Sequence, residues 1–295
     1  KMHACGHDGH TAMLLAAAKH LAEDGEFSGT LNLIFQPAEE GHGGAPRMMK
    51  DGLFQRFPCD AIFAMHNMPG IEAGRLVFRE GPALASSDTA IITLTGVGGH
   101  GAIPHRSADP IVAAASIVMA LQTVVARNVD PQQMSVVTVG VLHAGTAPNV
   151  IPGTARMELS VRSLEPAVRD LLKRRIVEVV HAQADSFNVK AHVHWADGNY
   201  PVLVSTPAET QFAREAGLEL VGADRVTLQG AALTGSEDFA FMLQEVPGTF
   251  VLIGNGAGDA TGSCMVHNPG YDFNDSNLAI GAAYWVHLTQ RYLCA

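Results

Sequence analysis

Apolar residues recur at intervals of three and four through "GHTAMLLAAAKHLAE", Gly9 to Glu23, and predict a helix. Beyond it, "LNLIFQPAEEG" sets a short apolar run, Leu31 to Phe35, ahead of Pro37 and two carboxylates. That run predicts a strand, and the proline predicts its end. "CDAIFAMHNMPG" repeats the plan, with an apolar run from Ala61 to Met65 followed by His66, Pro69 and Gly70. Polar candidates thus keep following apolar runs. In an α/β sheet the carboxyl ends of the strands share one edge, where residues far apart in sequence converge.

The middle of the chain carries a different rhythm. "SDTAIITLTGVGG" predicts a strand, "ADPIVAAASIVMALQTVVAR" a long amphipathic helix, and "MSVVTVGVLHAG" and "RMELSVRS" two more strands. A second helix, "EPAVRDLLKRRIVEVVHAQADSF", precedes a last strand, "VKAHVHWA". The order β-α-β-β-α-β is the split ferredoxin-like unit. The outer pattern then resumes with helices near Pro207 to Val221 and Ser236 to Glu245, the strand "GTFVLIGNG", and a closing helix from Ser276 to Tyr292. The expected organisation is an α/β outer domain in two parts, 1–83 and 197–295, interrupted by an inserted ferredoxin-like α+β domain over 84–196.

Composition narrows the function. Of the 295 residues, 47% are hydrophobic and 16% charged, and no stretch approaches the ~20 consecutive apolar residues of a membrane helix, so no membrane partner is expected. A formal charge of -10, with only 19 lysines and arginines and no basic run, would repel a phosphate backbone, which excludes nucleic acid as a partner. The four cysteines, Cys5, Cys59, Cys264 and Cys294, lack the density of a secreted disulfide framework, so a reducing, cytoplasmic setting is expected. The chain opens on Lys1 with no signal-peptide order after it.

The candidate chemistry begins at "HACGHDGH", His3 to His10, where three histidines, a cysteine and an aspartate crowd the entrance of the first helix. Cys5 and His7 could ligate a metal, or Cys5 could be a nucleophile with His7 or His10 as its base. Against the second scheme, residues two apart at a helix entrance do not readily hold nucleophile and base at ~3 Å. Glu39 and Glu40 could divide the work of ligand and free base, or could be two surface acids. His66 and His267 each precede Asn in turn-like contexts, where a structural role is the alternative.

Taken together and in order, "HACGHDGH", "QPAEEG", "MHNMPG", "GGHGAIPHRSADP", "APNVIP", "MELSVRS", "GSEDFA" and "VHNPG" resemble the co-catalytic metal-dependent aminoacylase and carboxypeptidase family. The resemblance covers the whole chain and is nearest to the amidohydrolase branch, which contains hippurate hydrolases and indole-acetyl-amino-acid hydrolases. It implies a zinc-peptidase-like catalytic domain, with the inserted domain as lid or dimerisation module. It implies that Cys5, His7, Glu40, His66 and His267 ligate two divalent ions, zinc or manganese, with cobalt or nickel as alternatives, and that Glu39 is the general base for a metal-activated water. His100 would stabilise the oxyanion, while Asn149 and Arg162 would hold the carboxylate of a small N-acyl amino acid. Ser236, Glu237 and Asp238 would help wall the site, and Asp238 and His105 receive no role. Pairing into a homodimer is left open. In the family the opening motif follows several strands and an upstream aspartate, so the resemblance also raises a second reading, an inactive truncated remnant that binds ligand or partners without catalysis.

Overall fold

The computed structural model describes residues 4–293; His3 and Cys294 therefore lie outside the described residues. The chain divides into two compact units, one built from Lys1–Ala83, Val204–Ala232 and Asp238–Ala295, the other from Leu84–Leu203 and Leu233–Glu237.

In the first unit, strand Ile62–Pro69 runs parallel to Gly248–Gly256, which pairs antiparallel with Leu76–Val77; that short strand in turn runs parallel to Val226–Thr227. Gly248–Gly256 is buried at all nine positions, as expected of a central strand whose two faces are both covered. Helices His7–Asp24, Pro207–Val221 and Ser276–Tyr292 pack around this sheet, the first and last against each other. A Cβ at Gly281 would come within 2.0 Å of the Met13 sulfur, so a residue without a side chain is what lets those two helices approach. Tyr284, fully buried, satisfies its hydroxyl by donating to the Ala213 carbonyl at 3.0 Å.

Three expectations are corrected in this unit. Leu31–Phe35 is not a strand: a strand needs a backbone partner, and among the described residues none forms a ladder with this segment, which leaves Leu33 and Phe35 exposed. His66 does not follow its strand but lies inside it, because pairing with Gly248–Gly256 continues to Pro69 through an irregularity at Met68. The helix expected from Ser236 starts at Phe239, after irregular backbone.

The second unit is a four-stranded antiparallel sheet in the order 135–144, 154–163, 88–95, 190–195, with helices Pro110–Asn128 and Pro166–Ser186 packed together and onto it. Strand Asp88–Thr95 buries every second residue, and Pro166–Ser186 buries Val168, Leu172, Ile176, Val180 and Ala184, one per turn, so strand and helix periods meet in one core. Proline opens both helices at the first turn, and Asp109 caps the earlier one by accepting from the Ile111 amide at 2.8 Å. The predicted strand over Ser87–Gly99 divides in two, because the chain leaves the sheet after Thr95 and re-pairs Gly99–His100 with Val150–Ile151. Among the described residues, one helix, Pro110–Asn128, is by length and composition apolar enough to span a bilayer. Here Ala113, Ala114, Ile117, Leu121 and Val124 fill the unit's core.

Candidate metal and catalytic site

Four segments of the first unit carry the candidate side chains: the turn ahead of the opening helix, the Glu39–His42 turn, the strand bearing His66, and the loop bearing His267. Ligand atoms of Cys5, His7 and His66 all lie within 4.8 Å of one another; so do those of Cys5, Glu40 and His267, and those of His7, Glu39 and Glu40. The three groups overlap. All five expected ligands and the expected base therefore converge, although they come from residue 5 to residue 267.

Local backbone explains how. Gly6, at φ +83°, turns the chain between Cys5 and His7. Ala38 at φ +59° and His267 at φ +64° occupy the left-handed region without being glycine, a conformation that surrounding structure must enforce. At His267 that enforcement is visible, since its amide donates to the Ala4 carbonyl at 2.5 Å and so ties its loop to the Cys5 segment. Glu40 and Gly41 depart from helical angles immediately after Glu39, so the turn is broken at this pair. Asp238, fully buried, accepts from Gln36 Nε2 at 2.6 Å and from the Ala45 amide at 2.9 Å, clamping the loop that bears Glu39 and Glu40 from both ends.

The donors suit divalent metal. His66 Nδ1 donates to the Asn67 carbonyl at 2.6 Å, which leaves Nε2 deprotonated and 3.4 Å from the Cys5 sulfur. Burial, with His7 and His267 nearby, holds the His66 imidazole down to about 4, so it is neutral and able to ligate at neutral pH. Glu40 Oε1 lies 3.3 Å from His267 Nε2, and Glu39 Oε2 lies 4.0 Å from His7 Nε2. Burial, then the charges of Asp238 and Glu40, push the Glu39 carboxyl up to about 7. A thiolate, imidazoles and carboxylates in overlapping groups of three fit more than one divalent ion.

Sequence reasoning found only part of what surrounds this cluster. His10, its pKa held well below the usual value by burial and by His66 and His7, was considered as a base for Cys5 but lies beside Asn67. Asn67 and Tyr271 went unnamed, with the adjacency of Asn67 to His66 as the one available signal, whereas Asp238 was expected only to wall the site.

The second unit holds the remaining expected residues. Pairing of Gly99–His100 with Val150–Ile151 sets His100 beside the segment of Asn149, whose carbonyl accepts from the Gly101 amide at 2.8 Å. Both side chains are exposed. Arg162 stands on strand Thr154–Ser163 and donates from Nη1 to the Thr234 carbonyl at 2.9 Å. Unassigned His105 lies in the exposed turn Pro104–Arg106.

Comparison with known proteins places these features in context. The family described as peptidase family M20/M25/M40 matches residues 1–291. Hippurate hydrolase of Campylobacter jejuni subsp. jejuni is 41% identical over 294 residues, covering 99% of this chain and 74% of that protein. N-acetyl-L-cysteine deacetylase of Bacillus subtilis is 37% identical over 293 residues, 99% of this chain and 68% of that protein. Among solved structures, the Bacillus subtilis YXEP protein, described as a dinuclear metal binding peptidase of the M20 family, superposes with a TM-score of 0.82 at 31% identity, covering 99% of this chain and 73% of that one.

Proposed function

This chain belongs to peptidase family M20/M25/M40 and is a metallo-amidohydrolase, and from that premise we propose that it cleaves the amide bond of N-acyl amino acids of the hippurate type. Cys5, His7, Glu40, His66 and His267 would hold two divalent ions, and Glu39 would be the general base. One observation carries the reading: three overlapping groups of ligand atoms, each within 4.8 Å, assembled from residues scattered through the first unit. The dinuclear centre described for the Bacillus subtilis neighbour supports the count of two. A thiolate with imidazoles favours zinc, and the carboxylate admits manganese.

Bound there, divalent ions would lower the pKa of water to ~7 and polarise the scissile carbonyl. The chain's own groups do the rest. Glu39 is suited to take the proton of the attacking water because it stands against the ligand cluster, 4.0 Å from His7 Nε2, without being assigned as a ligand itself. It would then return that proton to the leaving amine. The roles in the second unit rest on chemistry. His100 would donate to the oxygen on which charge develops. Arg162 offers a planar fork to the substrate carboxylate, with Asn149 as a further donor. In this reading the second unit is a lid, and an anionic substrate of an acidic protein finds its anchor in that arginine.

Metal content per chain, measured by mass spectrometry after loading with zinc or manganese and desalting, tests the reading alongside hydrolysis of N-benzoylglycine. The expected result is about two ions, both lost in the Cys5→Ala, His7→Ala double variant, with turnover by the loaded wild type. No retained metal would overturn it and favour a protein that binds without catalysis.

A further inference from the structure

We infer that Asn67 is a positioning residue of the metal site: its side chain ties the Cys5 carbonyl to Tyr271 of the His267 loop, while its backbone carbonyl orients His66. The inference rests on the reading of these residues as ligands, and extends it by naming what holds them before any ion arrives.

Asn67 is fully buried, and every polar group it owns is used. Its backbone amide donates to His10 Nε2 at 2.9 Å. Its backbone carbonyl accepts from His66 Nδ1 at 2.6 Å. Its side-chain nitrogen donates to the Cys5 carbonyl at 2.6 Å and lies 3.0 Å from His10 Nε2. Its side-chain oxygen accepts from the Tyr271 hydroxyl at 3.0 Å. The orientation of the amide is fixed by chemistry: a carbonyl can only accept, so the atom facing Cys5 must be the nitrogen. His10 Nε2, facing two N–H donors, must be the acceptor, and its ring proton belongs on Nδ1.

These four partners belong to the segments that carry the ligands. Cys5 and His66 are ligands themselves. His10 stands one turn after His7 on the same helix, and Tyr271 lies four residues past His267 in its loop. The turn between Cys5 and His7 closes directly on the hub, since a Cβ at Gly6 would meet the Tyr271 hydroxyl at 2.2 Å and the Asn67 nitrogen at 2.4 Å. A second strut, His267 amide to Ala4 carbonyl, completes the loop-to-loop tie. Burying a primary amide is costly unless all its bonds are made, so a site that needed only packing would have no use for it here. What this arrangement supplies is direction: the Cys5 carbonyl is drawn inward, and the His66 ring is turned so that Nε2 faces the Cys5 sulfur. Partners that orient metal ligands in this way typically govern ~10–100-fold of metal affinity.

A role confined to folding would lower stability and leave ligation as it was, so the test reads ligation. Asn67→Asp keeps the shape but sets an oxygen where the Cys5 carbonyl needs a donor; Tyr271→Phe removes one hydroxyl. Cobalt(II) is the probe, because the thiolate-to-cobalt charge-transfer band reports the Cys5 bond, and competition with a chelator gives affinity; unfolding of each metal-free variant is followed separately. Wild type should bind cobalt and show the band. Asn67→Asp should bind ~10–100-fold more weakly with the band shifted or lost, and Tyr271→Phe should move the same way by less. Variants that fold, or fold less stably, yet keep wild-type affinity and band overturn the inference. If Asn67→Asp does not fold, Tyr271→Phe decides alone by the same criterion. A wild type without cobalt binding would instead overturn the ligand reading, and this inference with it.

Discussion

Each unit holds a carboxylate away from open solvent, Asp88 fully buried and Glu39 half-buried, and the two are treated in opposite ways. Asp88 of the second unit, fully buried, receives Arg169 through two bonds of 2.7 and 2.8 Å and Lys173 at 2.7 Å, the lysine lying over the Trp195 ring. Glu39 of the first unit is set among acidic neighbours, with Asp238 and Glu40 raising its pKa along with burial. A paired charge locks a helix onto a strand and is finished; a carboxyl held between its two protonation states can move a proton. The same contrast runs through the backbone. The second unit puts Asn188, a residue type that tolerates it, at positive φ, while the site in the first unit gathers Ala38 and His267 at positive φ, buried Asn67 and Asp238, and adjacent acids. Departures from local consistency concentrate where chemistry is expected.

That contrast can be broken at several points. The largest expected effect is on Glu39→Gln, which removes the base and leaves the ligands: turnover of N-benzoylglycine by the metal-loaded variant should fall ~10²–10⁴-fold with metal content unchanged. Normal turnover would end the assignment. Leu172→Ala, in the core of the second unit and fully buried, should cost ~2–5 kcal/mol in thermal or denaturant unfolding while the folded fraction keeps its metal. Loss of metal from that variant would show that the two regions are less independent than their cores suggest.

A third test uses pH on metal-free protein. The Glu39 carboxyl is raised from 4.5 to about 7 in the folded chain, so the stability it contributes is complete below about 4.5 and is lost as pH rises through about 7. Glu39→Gln, which cannot ionise, should match wild type near pH 4.5 in unfolding scans and exceed it at pH 8, by at most about 3 kcal/mol at 1.36 kcal/mol per unit. Parallel curves for the two proteins would contradict the raised carboxyl. The smallest effect is that of Arg162→Ala, expected to raise KM ~10–100-fold, about 1.4–2.7 kcal/mol, for substrates with a free carboxylate and far less for their esters. Equal losses on both would remove Arg162 from substrate binding.

The second unit was legible because its information is local. The β-α-β-β-α-β order follows from periodicity, and the ends of Pro207–Val221, Gly248–Gly256 and Ser276–Tyr292 could be read from the chain in the first unit as well. Where pairing across the sheet decides, periodicity failed: Leu31–Phe35 is apolar enough for a strand but has no ladder partner among the described residues, and His66 was drawn into a strand that its neighbour extends to Pro69. The ligand candidates were legible as residue types in order, through the resemblance of eight motifs.

What the sequence by itself determined, then, is which groups are available: the thiol, the imidazoles, the carboxylates and the two helical and strand periods that build separate cores. Only the tertiary structure decided which of them meet. Side-chain type is written one residue at a time, but the 3.4 Å approach of His66 to Cys5, the His10 tautomer fixed through Asn67 and the Asp238 charge that helps raise the Glu39 carboxyl depend on neighbours tens or hundreds of residues away. Burial and hydrogen-bond partners are properties of a place in the fold, and they turn a list of candidate ligands into a site.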